Sequence, residues 1–143
     1  MNQAMKSRVL FLCTGNSCRS QIAEAIVNAR LGENWQAFSA GTHPTGYVHP
    51  LTIQVLEEIG ITHQGRSKGV EEVRGEHFDL VVTVCDSAAE ECPLWFGPGQ
   101  QVHLNFDDPT AVRGSETEII TAFRSVRDEI AQKIPELLLN LSG

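Results

Sequence analysis

The stretch Val9-Leu10-Phe11-Leu12-Cys13-Thr14-Gly15-Asn16-Ser17-Cys18-Arg19-Ser20 decides the fold. Its first four residues form an apolar run of strand type. At its far end Ser17 and Ser20 offer hydroxyls to a helix start, and Ala23, Ala25, Ile26 and Ala29 continue with helical character. Between the two lies a small turn in which Gly15 and Asn16 tolerate the left-handed backbone that such loops need. A strand turning into a helix in this way presents loop amides and the positive end of a helix dipole to one point. With Arg19 as a planar two-pronged donor, the segment can enclose a tetrahedral oxyanion. Cys13 opens the loop, and the same field favours its thiolate. The expected site is therefore Cys13 facing an anion held by Thr14, Gly15, Asn16, Ser17, Cys18, Arg19 and Ser20. A bare cysteine and arginine six residues apart can arise by chance; the strand before and the helix after argue against chance here.

Working outward, strands and helices alternate. Trp35 to Ala40 reads as a second strand. Pro50 suits a helix start, Ile53, Leu56 and Ile59 follow at helical spacing, and Gly60 is a natural stop. Leu80 to Val84 is an uninterrupted apolar run suited to a central parallel strand, and Gln101 to Phe106 can form a fourth. Ser115 and Glu118 make a capping box for a last helix with Ile119, Phe123, Val126, Ile130 and Ile134 on one face, which Pro135 is expected to kink or interrupt. The fold class is α/β: a three-layer sandwich with a four-stranded parallel sheet and helices on both faces. Ligands of such sheets sit beyond the carboxyl ends of the strands, where Cys13, Cys85 and the Asn105-Phe106-Asp107-Asp108-Pro109 loop all fall.

The 143 residues show no composition break, repeat or linker, so residues 1–143 are expected to form a single domain. The longest apolar stretches are far too short to span a bilayer, and the N-terminus lacks a signal-peptide pattern, so a cytoplasmic location is expected. A net charge of -7 argues against nucleic acid and anionic membrane as partners and leaves anion capture to the local field of the loop. Four cysteines in such a chain suggest catalytic or redox use. Neither metal nor cofactor is expected, because no short-spaced cysteine or histidine pair accompanies Cys85 and Cys92 and the five histidines are scattered. A monomer is the default for so polar a surface.

The segment Val9 to Ala25 resembles the catalytic loop of the low-molecular-weight protein tyrosine phosphatase superfamily. Within it the chain is most similar to the thioredoxin-coupled arsenate reductases, because Cys85, Cys92 and Asp107-Asp108-Pro109 recur at fitting separations. The resemblance covers nearly the whole chain and implies the low-molecular-weight phosphatase fold. It further implies that Cys13 is the nucleophile, that Asp108 delivers a proton to the leaving oxygen, and that arsenate is the substrate, with phosphate or sulfate as competing oxyanions. Cys85 and Cys92 would then relay electrons by successive thiol-disulfide exchange, with thioredoxin as the last reductant. The alternative is a low-molecular-weight protein tyrosine phosphatase, which needs only Cys13, Arg19 and Asp108. Against it, Gln21 stands where those enzymes usually carry proline and Thr110 where they usually carry an aromatic; Tyr47 could supply a single aromatic wall. A third reading is a redox-regulated protein that holds an oxyanion without turning it over.

The resemblance carries two further expectations. Some of these reductases bind potassium through residues matching Asn16, Glu24 and Ser39. Here the stretch Gly65-Arg66-Ser67-Lys68 offers an ammonium among the same oxygens, so potassium independence is expected. If residues 86 to 92 are helical in the reduced protein, Cys85 and Cys92 lie ~10 Å apart along the axis. A disulfide needs Cα atoms within about 7 Å, so the segment would have to unwind and lose amide protection over residues 86 to 97. Cys18 is read as packing at the helix start.

Overall fold

The computed structural model describes residues 6–87, 92, 94, 95, 97 and 99–142. Four strands, β1 (Ser7–Cys13), β2 (Trp35–Gly41), β3 (Leu80–Thr83) and β4 (Gln100–His103), form one wholly parallel sheet in the order β2-β1-β3-β4. Three helices, α1 (Arg19–Arg30), α2 (Pro50–Glu57) and α3 (Glu116–Ser142), accompany it. The apolar run read as the first strand is central, as its lack of polar alternation requires: Val9 to Leu12 are wholly buried between two neighbouring strands.

Residues alternate between two cores. Val9, Phe11 and Val82 face α1, α2 and α3, where Ile22, Ile26, Leu56, Phe123, Ile130 and Ile134 complete a large cluster. Leu10, Leu12 and Val81 face the other way onto Val73, Phe78 and Trp95, with a short 3-10 turn at Val70–Glu72 covering that side. Phe78 packs edge-on against both Phe38 and Trp95 at centroid distances of 5.5 and 5.7 Å. The sheet is thereby enclosed as a three-layer α/β fold.

Local signals act as expected at most element ends. Pro50 starts α2, and Gly60 takes a φ of +82° just beyond it. The capping box before α3 closes in both directions: the Ser115 amide donates to Glu118 Oε1 at 3.2 Å and the Glu118 amide to Ser115 Oγ at 3.1 Å. Two expectations are corrected. Pro135 does not interrupt the last helix, which runs through it as one 27-residue element. The fourth strand ends at His103, and the chain to Phe106 leaves the sheet as a loop. No helix of the described residues is long and apolar enough to cross a membrane.

The order β2-β1-β3-β4 places the topological switch at β1, whose chain neighbour β2 lies on one side and β3 on the other. A crevice at the carboxyl end of β1 follows from that order, and the loop that begins with Cys13 fills it.

Candidate active site

Residues 13 to 18 connect β1 to α1. Their carbonyls are tied outward to a surrounding shell. Thr14 O accepts from the His43 amide at 2.9 Å and Gly15 O from the Thr45 amide at 3.0 Å. Ser17 O accepts from the His49 amide and from Thr52 Oγ1, both at 3.0 Å, and Asn16 O accepts from Gln21 Nε2 at 3.2 Å. Because each peptide is planar and trans, a carbonyl held outward turns the next amide inward. The shell thus creates the ring of inward N–H groups. Gly41 makes this approach possible, since a Cβ there would lie 2.5 Å from Thr14 O.

Asn16 governs the interior. Its φ of +49° is the one left-handed angle among described non-glycine residues. Its side-chain Oδ1 accepts from the Lys68 amide at 2.8 Å and from Gln21 Nε2 at 3.0 Å, which leaves Nδ2 to donate to Ser20 Oγ at 2.8 Å. The Ser20 hydroxyl shares a hydrogen bond with Cys13 Sγ, also 2.8 Å away, and the Asn16 amide donates to the same sulfur at 3.3 Å. A thiolate at Sγ would receive both hydrogen bonds, an arrangement suited to an attacking nucleophile. Cys13 itself is 2% exposed.

Arg19, buried at the first turn of α1, donates through Nη1 to Phe106 O at 3.1 Å and lies 3.8 Å from Asp108 Oδ2 through Nη2. Asp108 caps the turn Pro109–Ala111, and its Oδ1 accepts from the Thr110 amide at 2.9 Å and from Thr110 Oγ1 at 2.6 Å. One carboxylate oxygen is therefore fixed by Thr110 while the other faces Arg19. A cavity of about 240 Å³ lies between them, lined by residues 13–19, His43, Thr45, Asp108 and Thr110. It can seat a tetrahedral oxyanion with a thiol, a guanidinium and a carboxyl around it.

Cys18 is buried at the start of α1. Burial pushes its thiol up to about 12, against a hydrogen bond with Thr52, so it stays protonated and packs at the start of α1. Tyr47 is exposed and does not line the cavity. Asp107 is exposed, whereas Asp108 is half-buried at the rim.

Cys85 follows β3 and is wholly buried. Its position is set by the register Leu12↔Thr83, which puts Cys13 and Cys85 at the ends of adjacent strands, and the Val84 amide donates to Leu12 O at 2.9 Å. Cys85 is bonded to Cys92, with Cα atoms 5.9 Å apart. The expectation that the intervening backbone unwinds falls on residues 88–91 and their neighbours 93, 96 and 98, which lie outside the described residues. Phe106 joins the two regions: its amide donates to Cys85 O at 3.4 Å and its carbonyl accepts from Arg19.

Beside the loop, Lys68 Nζ donates to Arg66 O at 3.1 Å and stands 3.9 Å from Glu24 Oε1, which accepts from Ser39 Oγ at 2.8 Å. Burial raises the Glu24 pKa, and Lys68 and the Ser39 hydrogen bond oppose that rise. The Lys68 ammonium thus stands beside Glu24, one of the oxygen-bearing residues expected around it. Three participants escaped sequence reasoning as parts of the shell: Gln21, which bridges Asn16 and Arg66 O while its Oε1 meets His63 Nε2 at 2.7 Å; Thr52; and His43. Of these, only Gln21 left a signal, as the polar residue where proline was expected.

The family model described as low molecular weight phosphotyrosine protein phosphatase matches residues 8–142. An arsenate reductase of Halalkalibacterium halodurans is 42% identical over 130 residues, covering 90% of this chain and 93% of that one. A solved structure described as an arsenate reductase in the phosphate binding state superposes with a TM-score of 0.74 at 24% identity, covering 94% of this chain and 98% of the other, a likeness of fold. A thioredoxin-dependent arsenate reductase of Corynebacterium glutamicum superposes with a TM-score of 0.66 at 28% identity, covering 96% of this chain and 62% of that one. With the loop, the parallel sheet and a match over nearly its whole length in agreement, the chain belongs to the low molecular weight phosphotyrosine protein phosphatase family.

Proposed function

We propose that this protein reduces arsenate to arsenite through a relay of Cys13, Cys85 and Cys92, with thioredoxin as the final reductant. The observation that carries the reading is the Cys85–Cys92 disulfide at the strand end adjoining Cys13. A phosphatase has no use for such a pair, and a reductase must move two electrons from sulfur to arsenic. The 42% identity to an arsenate reductase supports the substrate, and the likeness to a thioredoxin-dependent enzyme supports the reductant.

The Cys13 thiolate attacks arsenic(V) in the loop while Arg19 and the inward amides hold the oxyanion. Asp108 gives its proton to the oxygen that leaves as water. The Cys85 thiolate then attacks Cys13 Sγ; the electron pair of the sulfur–arsenic bond passes to arsenic, which departs as arsenite. Cys92 attacks Cys85 Sγ in the resulting Cys13–Cys85 disulfide and frees Cys13 as a thiolate. The Cys85–Cys92 bond that remains is reduced by the dithiol of thioredoxin. Thr110 holds the proton donor in place, and Asn16 with Ser20 aims the nucleophile. The chain acts as a monomer in the reducing cytoplasm, where its thiols are regenerated.

The test is arsenate-dependent NADPH consumption with thioredoxin and thioredoxin reductase. The parent turns over, and Cys92→Ser stops after about one equivalent of arsenite per chain, because nothing resolves the first disulfide. The second reading, a phosphatase, is favoured by the family match and by the completeness of Cys13, Arg19 and Asp108 without further thiols. Aryl phosphate hydrolysis that survives Cys92→Ser, with no arsenate turnover by the parent, would establish it instead.

A further inference from the structure

We propose that, once the Cys85–Cys92 bond is reduced, the two thiols and His103 form a binding site for a thiophilic divalent cation such as zinc. Spacing along the chain conceals this group, because the third member comes from the next strand. His103 ends β4 in register with Thr83 of β3, and in the disulfide form a ring nitrogen of His103 lies within 4.8 Å of the two bonded sulfurs. Cys85 is buried, Cys92 half-buried and His103 exposed, so the group opens toward solvent on one side. A groove of about 310 Å³ lined by Thr83, Ser87, Cys92, Leu94, Gln101 and His103, among others, provides the way in.

The hydrogen bonds around His103 prepare a ligand. The Ser87 amide donates to Asn105 Oδ1 at 3.2 Å, and the Ser87 hydroxyl donates to the same oxygen at 3.1 Å, which fixes the amide orientation of Asn105. Oδ1 can only accept, so His103 Nε2, bonded to it, carries the hydrogen. The lone pair then resides on Nδ1, which meets the Thr83 hydroxyl at 2.7 Å. A cation drawing on Nδ1 would displace that hydroxyl, while Asn105 continues to hold the opposite nitrogen. Histidine ligands are commonly oriented by such a second hydrogen bond.

Two thiolates on one tetrahedral zinc stand about 3.8 Å apart, from zinc–sulfur bonds of about 2.3 Å. The Cα separation of 5.9 Å in the disulfide form accommodates that span, so the cation would hold the reduced pair in the same non-helical arrangement. On binding, both thiols release protons to solvent, each sulfur and Nδ1 donate an electron pair to the cation, and water takes the fourth position; no electron is transferred. Oxidation to the disulfide removes both thiolates and with them the site. Cation binding and any chemistry of the dithiol therefore exclude each other. The inference rests on the geometry of this cluster and not on the arsenate relay.

The experiment uses the full chain, reduced and kept anaerobic, with cobalt(II) alone as probe. Reduced protein takes up one cobalt with thiolate-to-cobalt charge-transfer absorption and tetrahedral visible bands, and these survive Cys13→Ser. The bands vanish in the disulfide form and in Cys92→Ser, and His103→Ala weakens binding about tenfold or more. Absence of the bands in the reduced parent, or unchanged affinity in His103→Ala, would overturn the proposal. Should His103→Ala fail to fold, the unsubstituted chain decides. Zinc slows alkylation of Cys85 and Cys92 and leaves Cys13 unaffected, and equal labelling with and without zinc refutes the site.

Discussion

At the scale of single residues, Asn16 and Lys68 show how uncharged and charged groups divide the work around one loop. Asn16 sets the loop backbone and the donors on Cys13; Lys68 holds Asn16 by its own amide and supplies the neighbouring charge beside Glu24. Lys68→Ala removes a cation from a buried carboxylate. The folded-state pKa of Glu24 is already raised by burial, so its ionised form opposes folding, and this penalty appears as pH rises through the folded pKa. Without Lys68 the pKa rises further. The variant is expected to match the parent most nearly in acid and to lose stability progressively toward neutral pH, read by thermal unfolding across pH. Potassium, filling the vacated position, restores activity in Lys68→Ala and leaves the parent unchanged in steady-state assays. A severalfold rise in the parent would contradict the role given to the ammonium. The loop residues and Lys68 were legible from sequence because they are local or carried by a strong resemblance. The contacts of Gln21, Thr52 and His103 were not, because each depends on a partner that only the fold brings near.

At the scale of elements, the sheet and the three helices were visible in apolar runs, caps and stops. Their ends shifted by one to three residues where hydrogen bonding continued past the apolar pattern, as at Ser7, or ceased before it did, as after His103. Pro135, expected to kink or interrupt the last helix, does not interrupt it. Local chemistry says that a proline removes the bond to the carbonyl four residues earlier, here Ala131, and crowds it. Yet Ile130, Ile134 and Leu138 are wholly buried at helical spacing on either side, and their packing carries α3 through the break. Pro135→Ala is therefore expected to stabilise the protein by about 2 kcal/mol, after allowing for the greater freedom of the unfolded chain. That corresponds to a rise of roughly 6 °C in the thermal midpoint. An unchanged midpoint would show that the Ala131 carbonyl is already satisfied in another way.

At the scale of the whole molecule, the disulfide spans a sequence separation of only 7 residues. Chain-entropy arguments allow so short a loop about 2 kcal/mol of stabilisation. With two cores already closed around the sheet, reduction is expected to lower the thermal midpoint by no more than about 6 °C and to leave the fold intact, as calorimetry of oxidised and reduced protein will report. Loss of cooperative unfolding on reduction would mean that the bond is structural and would count against a turnover role. Topology was legible in outline, because alternating strands and helices permit few arrangements. The order β2-β1-β3-β4 was not, since nothing in the apolar runs names their neighbours.

The distribution of chemistry over that sheet has a consequence for how such an enzyme can change. The anion loop leaves β1, the thiol pair leaves β3, and the candidate proton donor follows β4, so each part hangs from its own strand. An inherited alteration confined to the chain after β3 can add or erase a pair of thiols without disturbing the backbone that grips the oxyanion. Hydrolysis and reduction thus become neighbouring designs, separated by one interchangeable connection on a common chassis.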